Sequence, residues 1–272
     1  MNNKIDINLT GVPQTLLLPL FGRATLSKES YSPLHDAKAV QLVESLNYDF
    51  DALAAIAGHI SMFWMARAYH FDQAIKNFLQ HHPKGVVVSL GAGLETAFHR
   101  VDNGQLTWVD LDLPEVIALR QKLLPPSQRE HEIAKSVLDF SWMDDVKKLG
   151  DEFFFFAGGL FMYFTEEENK RIFTQMAHAF PGSELIFDTI SSKGLYHANR
   201  MLKQSMRGAV LTWGVDEPDQ LATWSPQIKI AAKIPFFSKI KSNYPFPLKQ
   251  RLKMYLYDWF DKGCVAHLKF IP

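Results

Sequence analysis

The chain has a single cysteine, Cys264, so it can form no internal disulfide and no cysteine-based zinc site. It has no excess of either charge: 29 Lys and Arg stand against 29 Asp and Glu, for a formal net charge of zero. A broad electrostatic footprint for nucleic acid needs surplus basic charge, so no nucleic-acid partner is expected. No run approaches about 18 consecutive apolar residues, and the opening MNNKIDINLTGVPQ lacks the basic-then-apolar pattern of a secretory signal. The expectation is a cytoplasmic protein with no membrane partner. Internal repeats and low-complexity stretches are also missing. No metal is expected, and the sequence assigns no oligomeric state.

What is present is a folded composition, 47% hydrophobic and 13% aromatic over 272 residues. That length suits one α/β domain with additions. The stretch VVVSLGAGLETAFHR, Val86 to Arg100, organises the rest. A short β-branched run ending in glycines reads as a strand buried on both faces that enters a tight turn. Gly91 and Gly93, with Ala92 between them, lack the bulk that would keep a ligand from the main chain. A helix beginning after them would offer unpaired N–H groups to a carboxylate or ribose edge. The third glycine of a dinucleotide fingerprint is missing: Thr96 stands there. The motif alone fits either a nucleotide site or a glycine turn that only joins strand to helix.

Later segments continue the pattern. LTWVDLDLPEVIALR, Leu106 to Arg120, ends a strand on Asp110 and Asp112 before Pro114 opens a helix. An acid about 20 residues past the glycines is placed to accept ribose hydroxyls; Asp112 could equally cap the helix, and Asp110 could take the ribose role. KSVLDFSW, Lys135 to Trp142, reads as a short strand closing on Asp139, for an adenine amino group, and Phe140, for its apolar face. EFFFFAGGLFMYFTEEE, Glu152 to Glu168, reads as an aromatic strand ending at Gly158-Gly159, with Thr165 and Glu168 as a capping box. ELIFDTI, Glu184 to Ile190, is a further strand.

In this order, GAGLET, VDLDLPEVI, SVLDFSW and FFAGGLFMYFTEEE resemble the leucine carboxyl methyltransferase family of class I S-adenosylmethionine-dependent methyltransferases, and most closely its bacterial branch with polyketide O-methyltransferases. The likeness includes TLLLPLFGRA and MARAYHFDQAIKNFL near the start. It implies a doubly wound, Rossmann-like α/β sheet, mostly parallel with an antiparallel last strand. It also implies a helical cap over residues 1–83, a cofactor domain over 84–272, and a substrate cover inserted at about 191–227, before the last two strands. The cofactor implied is S-adenosylmethionine. Arg67, which on its own reads as a solvated helix arginine, is implied to hold the methionine carboxylate. Arg23, in the family's RA pair, is a candidate for substrate or for a structural ion pair.

Family members that act on a protein C-terminus carry a glutamate where this chain has Gly158. Backbone groups of Ala157 and Gly158 would then replace its contact to the cofactor. That departure favours a small-molecule acceptor. Tyr163 and Trp213 are candidate substrate residues, each with core packing as its alternative. A carboxylate acceptor, titrating at about 4, needs no base, and a phenol, at about 10, benefits from one; no catalytic base is assigned. The function expected is methyl transfer to a hydroxyl or carboxyl of a small, polyketide-like molecule. The alternatives are a carboxyl methyltransferase for a protein or peptide terminus, and a non-catalytic S-adenosyl-binding protein. The missing third glycine and Asp139-Phe140 count against an NAD-linked oxidoreductase.

Overall fold

A computed structural model describes residues 4–6, 16–205, 210–260 and 263–272. In chain order the elements are β1 (Ile5–Asp6), α1 (Leu17–Ser27), α2 (Ala37–Ser45), β2 (Leu46–Asn47), α3 (Asp51–His81), β3 (Val86–Leu90), α4 (Phe98–Val101), β4 (Thr107–Asp112), α5 (Pro114–Leu123), β5 (Glu130–Ala134), α6 (Trp142–Lys147), β6 (Phe153–Ala157), α7 (Glu166–Ala179), β7 (Glu184–Asp188), α8 (Ser192–Ser205), β8 (Ile228–Pro235), α9 (Leu248–Trp259) and β9 (Cys264–Phe270). Seven strands form one sheet in the order β5-β4-β3-β6-β7-β9-β8. β5, β4, β3, β6 and β7 are parallel, and β9 lies antiparallel between β7 and β8. The expected fold class, with an antiparallel last strand and an insertion before the last two strands, is present.

The central strands β3 and β6 are apolar at every position but Ser89 because both faces are covered. β3 and β6 are buried throughout. On one face Phe155, Phe173, Phe180 and Trp142 pack together. On the other, Phe71 and Phe78 of α3 meet Phe156 and Phe154. α3 runs unbroken until two residues short of Pro83, which cannot continue a helix. Asp36 caps α2 by accepting the Ala39 N–H, and Thr165 with Glu168 forms the expected capping box on α7.

Two expectations change. Lys135 to Trp142 is not a strand but a turn leading into α6; the strand is β5, just before it. β5 is the sheet's edge and reads EHEIA, with polar residues toward solvent, so its apolar signal is weak. In the turn, Asp139 N–H donates to the Ser136 carbonyl and Asp139 Oδ1 accepts from Ser141 N–H. The helix after the glycines is also reduced to the single turn α4, starting five residues past Gly93. The N–H groups expected to be unpaired there are used: Gly91 and Ala92 donate to the Leu111 carbonyl, Gly93 to Asp112, and Thr96 to the Glu95 side chain.

Candidate active site

The parallel strands end level with one another: Leu90 beside Leu111 and Ala157, and Asp112 beside Ala134. Ligands of open α/β sheets bind in the crevice beyond such carboxyl ends. The residues that follow are Gly91 to Gly93, Asp112, the turn with Asp139 and Phe140, and Gly158-Gly159. One sheet edge therefore collects most of the expected cofactor residues.

Gly91 and Gly93 have φ of 63° and 48°, a left-handed conformation that favours glycine. Asp112 closes this turn. Its carboxylate accepts Gly93 N–H at 2.7 Å and its own neighbour Leu113 N–H at 2.7 Å. Burial pushes its pKa up, opposed by those two hydrogen bonds. Each Asp112 oxygen carries one of these bonds and retains a further lone-pair site for a hydroxyl.

Asp110 is different from Asp112 and is corrected as a cofactor contact. It shares a strand face with Asp112 but lies two residues inside β4, under Arg120 of α5 rather than at the open end. It is 2% exposed, accepts the Trp108 indole N–H at 3.0 Å, and pairs with Arg120. Arg120 in turn donates to the carbonyls of Gly93 at 2.9 Å and Glu95 at 3.1 Å. Burial pushes Asp110 up to about 6 against the pull of Arg120. Asp110 thus braces the glycine turn from beneath.

A second brace comes from the N-terminal helices. Arg23 is buried; it donates to Asp36 at 3.0 Å and to the Leu94 carbonyl at 3.0 Å, and pairs with Glu95 at 3.4 Å. Arg100 pairs with Asp36 at 2.6 Å and forks onto Asp72 at 2.8 and 3.0 Å. Thr96 also donates to Asp36, at 2.6 Å. Arg23 is corrected as a substrate residue: its guanidinium is committed to this network, the ion-pair alternative. Burial raises the Asp36 pKa, but Arg100, Arg23 and two hydrogen bonds outweigh it and hold the carboxyl at about 2.

Arg67 is no solvated arginine. It is buried, and its Nη1 donates to Asp188 Oδ2 at 2.9 Å. Asp188, last residue of β7, also accepts Gly159 N–H at 2.6 Å. The guanidinium lies against the backbone of Gly158, where a Cβ would stand 3.1 Å from Cζ. The chain therefore places a carboxylate beside Arg67 from β7 rather than from position 158. Asp188 was missed in the sequence, although it ends a strand in the same way as Asp112.

Asp139 is exposed, and the hydrogen bond from Ser141 lowers its pKa. Phe140 lies partly buried under the Arg171 guanidinium, 5.7 Å away. Tyr163 is 38% exposed in a 3₁₀ turn just past β6. Trp213 is corrected: it is buried in the core against Phe173 and Trp224, because an indole of that size in the insertion covers α7's apolar face. Among the described residues, no group of three His, Cys, Asp or Glu could hold a metal, and no helix is long and apolar enough to cross a membrane.

The model of the leucine carboxyl methyltransferase family matches residues 20–177, from the Arg23 network through α7. The chain belongs to that family. It is a methyltransferase, and its methyl donor is S-adenosylmethionine. Over 224 residues it is 30% identical to the tetracenomycin polyketide synthesis O-methyltransferase TcmP of Streptomyces glaucescens, covering 82% of each chain. Over 248 residues it is 26% identical to the S-adenosyl-L-methionine-dependent methyltransferase dpfgK of Gibberella zeae, covering 84% of this chain and 83% of that one. The crystal structure of a DUF574 family protein from Streptomyces avermitilis shares the fold, with a TM-score of 0.62 at 12% identity, over 97% of this chain and 99% of that one.

The site fits this donor. The glycine turn stands at the end of the first strand, Asp112 places a carboxylate at the second strand's end, and Arg67 a cation at the far side of the same edge.

Proposed function

We propose that the chain methylates an oxygen, hydroxyl or carboxylate, on a small polyketide-like molecule. One observation carries this reading: the likeness to a polyketide O-methyltransferase extends over 82% of both chains. Gly158, with Arg67 laid against it, supports it, since the glutamate of the protein-methylating branch would set its Cβ 3.1 Å from the Arg67 Cζ and displace that guanidinium.

In this reading Gly91, Ala92 and Gly93 cradle the donor, Asp112 accepts the ribose hydroxyls, and Asp139 and Phe140 take the adenine. Backbone groups of Ala157 and Gly158 line the methionine portion. Arg67 holds its carboxylate with guanidinium donors not turned to Asp188; an arginine fork suits a carboxylate. Residues 1–83 act as the helical cap, 84–272 as the methyltransferase domain, and 191–227 as the cover over the acceptor. Tyr163 faces the acceptor. The bound donor supplies a methyl on a sulfonium, which leaves a neutral thioether. The residues of the chain align the acceptor oxygen with that methyl and exclude water, which supplies several kcal/mol of the barrier.

The test is mass-spectrometric. Purified protein with S-adenosylmethionine is offered aromatic polyketide phenols, small carboxylic acids and a peptide ending in a free leucine. Methylation of a phenol or small acid is expected. Methylation of the peptide alone would replace this reading with the carboxyl-terminus alternative.

A further inference from the structure

Among the described residues eleven large hydrophobics are exposed, and six of them lie on α9 or on the residue that ends it. They are Leu248, Leu252, Tyr255, Leu256, Trp259 and Phe260. The steps of four, seven, eight and eleven place the first five on one helical face, about 16 Å long. Leu248 is 81% exposed and Trp259 83%.

The opposite face fixes the helix to the protein. Met254 is fully buried, Tyr257 packs on Phe63 and Phe237, and Asp258 pairs with Lys241 while accepting Phe237 N–H. Gln250 donates to the Tyr31 hydroxyl at 3.0 Å. The apolar face is therefore held outward by the packing of its other side. An exposed patch of this extent marks an interaction surface.

Charge identifies the occupant. α9 carries Lys249, Arg251 and Lys253 against one acid, Asp258, which is turned inward onto Lys241, although the whole chain is balanced at 29 of each. Lys249 and Lys253 are exposed on α9 itself, and Lys239 just before it. We propose that α9 docks the protein on an anionic lipid surface. Leu248, Leu252, Leu256 and Trp259 enter the boundary between headgroups and acyl chains, and Lys249 and Lys253 reach the headgroup phosphates. The face is a convex ridge on one helix. A fluid lipid boundary conforms to a ridge. A second copy of this chain packed through the same face brings Lys249 and Lys253 of both copies together, while the acid of α9, Asp258, is already committed to Lys241 and Phe237 N–H.

The absence of a spanning helix bears on a different mode of contact: here the helix lies on the membrane. Its position also suits the site. Pro235, ending β8, pairs with Cys264, and the next residue, Val265, pairs with Asp188. The α9 connection thus leaves the sheet at the edge that carries Asp188 and Arg67.

The experiment is flotation of the full chain with phosphatidylcholine vesicles, with and without phosphatidylglycerol. It needs neither donor nor acceptor, so its outcome is separate from that of the methylation assay. Wild-type protein is expected to float with the anionic vesicles and to partition weakly to the neutral ones. K249Q and K253Q should each lower anionic partition about fivefold. L252Q/W259Q should abolish it at an unchanged thermal midpoint. Failure of the wild type to float with anionic vesicles would overturn the proposal. So would flotation that L252Q/W259Q leaves intact, or a dimer in sedimentation that this double variant dissociates.

Discussion

Arg67 touches the sheet edge through Asp188 and Gly158, and its substitution separates binding from support. In Arg67→Ala, S-adenosylhomocysteine, which has the carboxylate, should lose on the order of 2–4 kcal/mol of binding. Methylthioadenosine, which lacks it, should bind both proteins about equally. Calorimetry on two proteins and two ligands checks this; equal losses would assign Arg67 to holding Asp188 and Gly159 in place. Asp112→Ala removes charge-assisted acceptors for the ribose and should weaken both ligands, again by on the order of 2–4 kcal/mol. Unchanged affinity would reduce Asp112 to its bonds with Gly93 and Leu113. Both positions stood out in the sequence, one from its place after the glycines and the other only through the family likeness. Asp110 was equally visible and misassigned. Two residues of spacing keep the same face of a strand, so what separates the two acids is depth: Asp112 ends β4 at the crevice, while Asp110 lies two residues inside it, held by Trp108 and Arg120.

At the scale of elements, the glycine turn is held by side chains from α1, α3, α4 and α5. The hub is Asp36, and its carboxyl has a folded pKa of about 2 against 3.8. A depressed acid stabilises the fold above its unfolded value, and that contribution is lost as pH falls from about 4 through about 2. The shift corresponds to about 2 kcal/mol. Asp72, raised by burial, acts in the opposite direction. The measurement is therefore a difference: urea midpoints of wild type and Asp36→Asn from pH 6 to pH 2. The gap between them should narrow in the acid limb; a gap constant with pH would leave Asp36 with its geometry but not this charge coupling. Such a network is poorly legible in sequence because its members come from positions 23, 36, 72, 95 and 100, and only folding brings them together. β5 was obscured for the opposite reason, since an edge strand's polar face erases the apolar run that betrays β3, β4 and β6.

Across the whole molecule, the sheet's last addition is its most constrained. β9 is hydrogen-bonded on both sides, to β7 and to β8, and carries Cys264 at its start, where the thiol lies buried beside the Thr189 hydroxyl at 3.4 Å. A thiol reagent should label it only when that strand opens. Labelling in native buffer should be slow, and in rising urea its rate should track global unfolding measured by fluorescence. Fast labelling in native buffer would mean that β8 and β9 detach as a unit of lower stability. The order of the strands has a consequence for the chain as it is made. β8 leaves the ribosome before β9 yet has no place in the sheet until β9 lies between it and β7. At about 5–20 residues per second, the stretch from Asp188, where β7 ends, to Cys264 takes on the order of 4–15 seconds to emerge. For that interval β7 presents a bare apolar edge, of the kind that recruits strands from other chains. Nascent chains on one message are therefore exposed to pairing with one another while α8, β8 and α9 are being translated, and a factor that shields unpaired strands would act in that window.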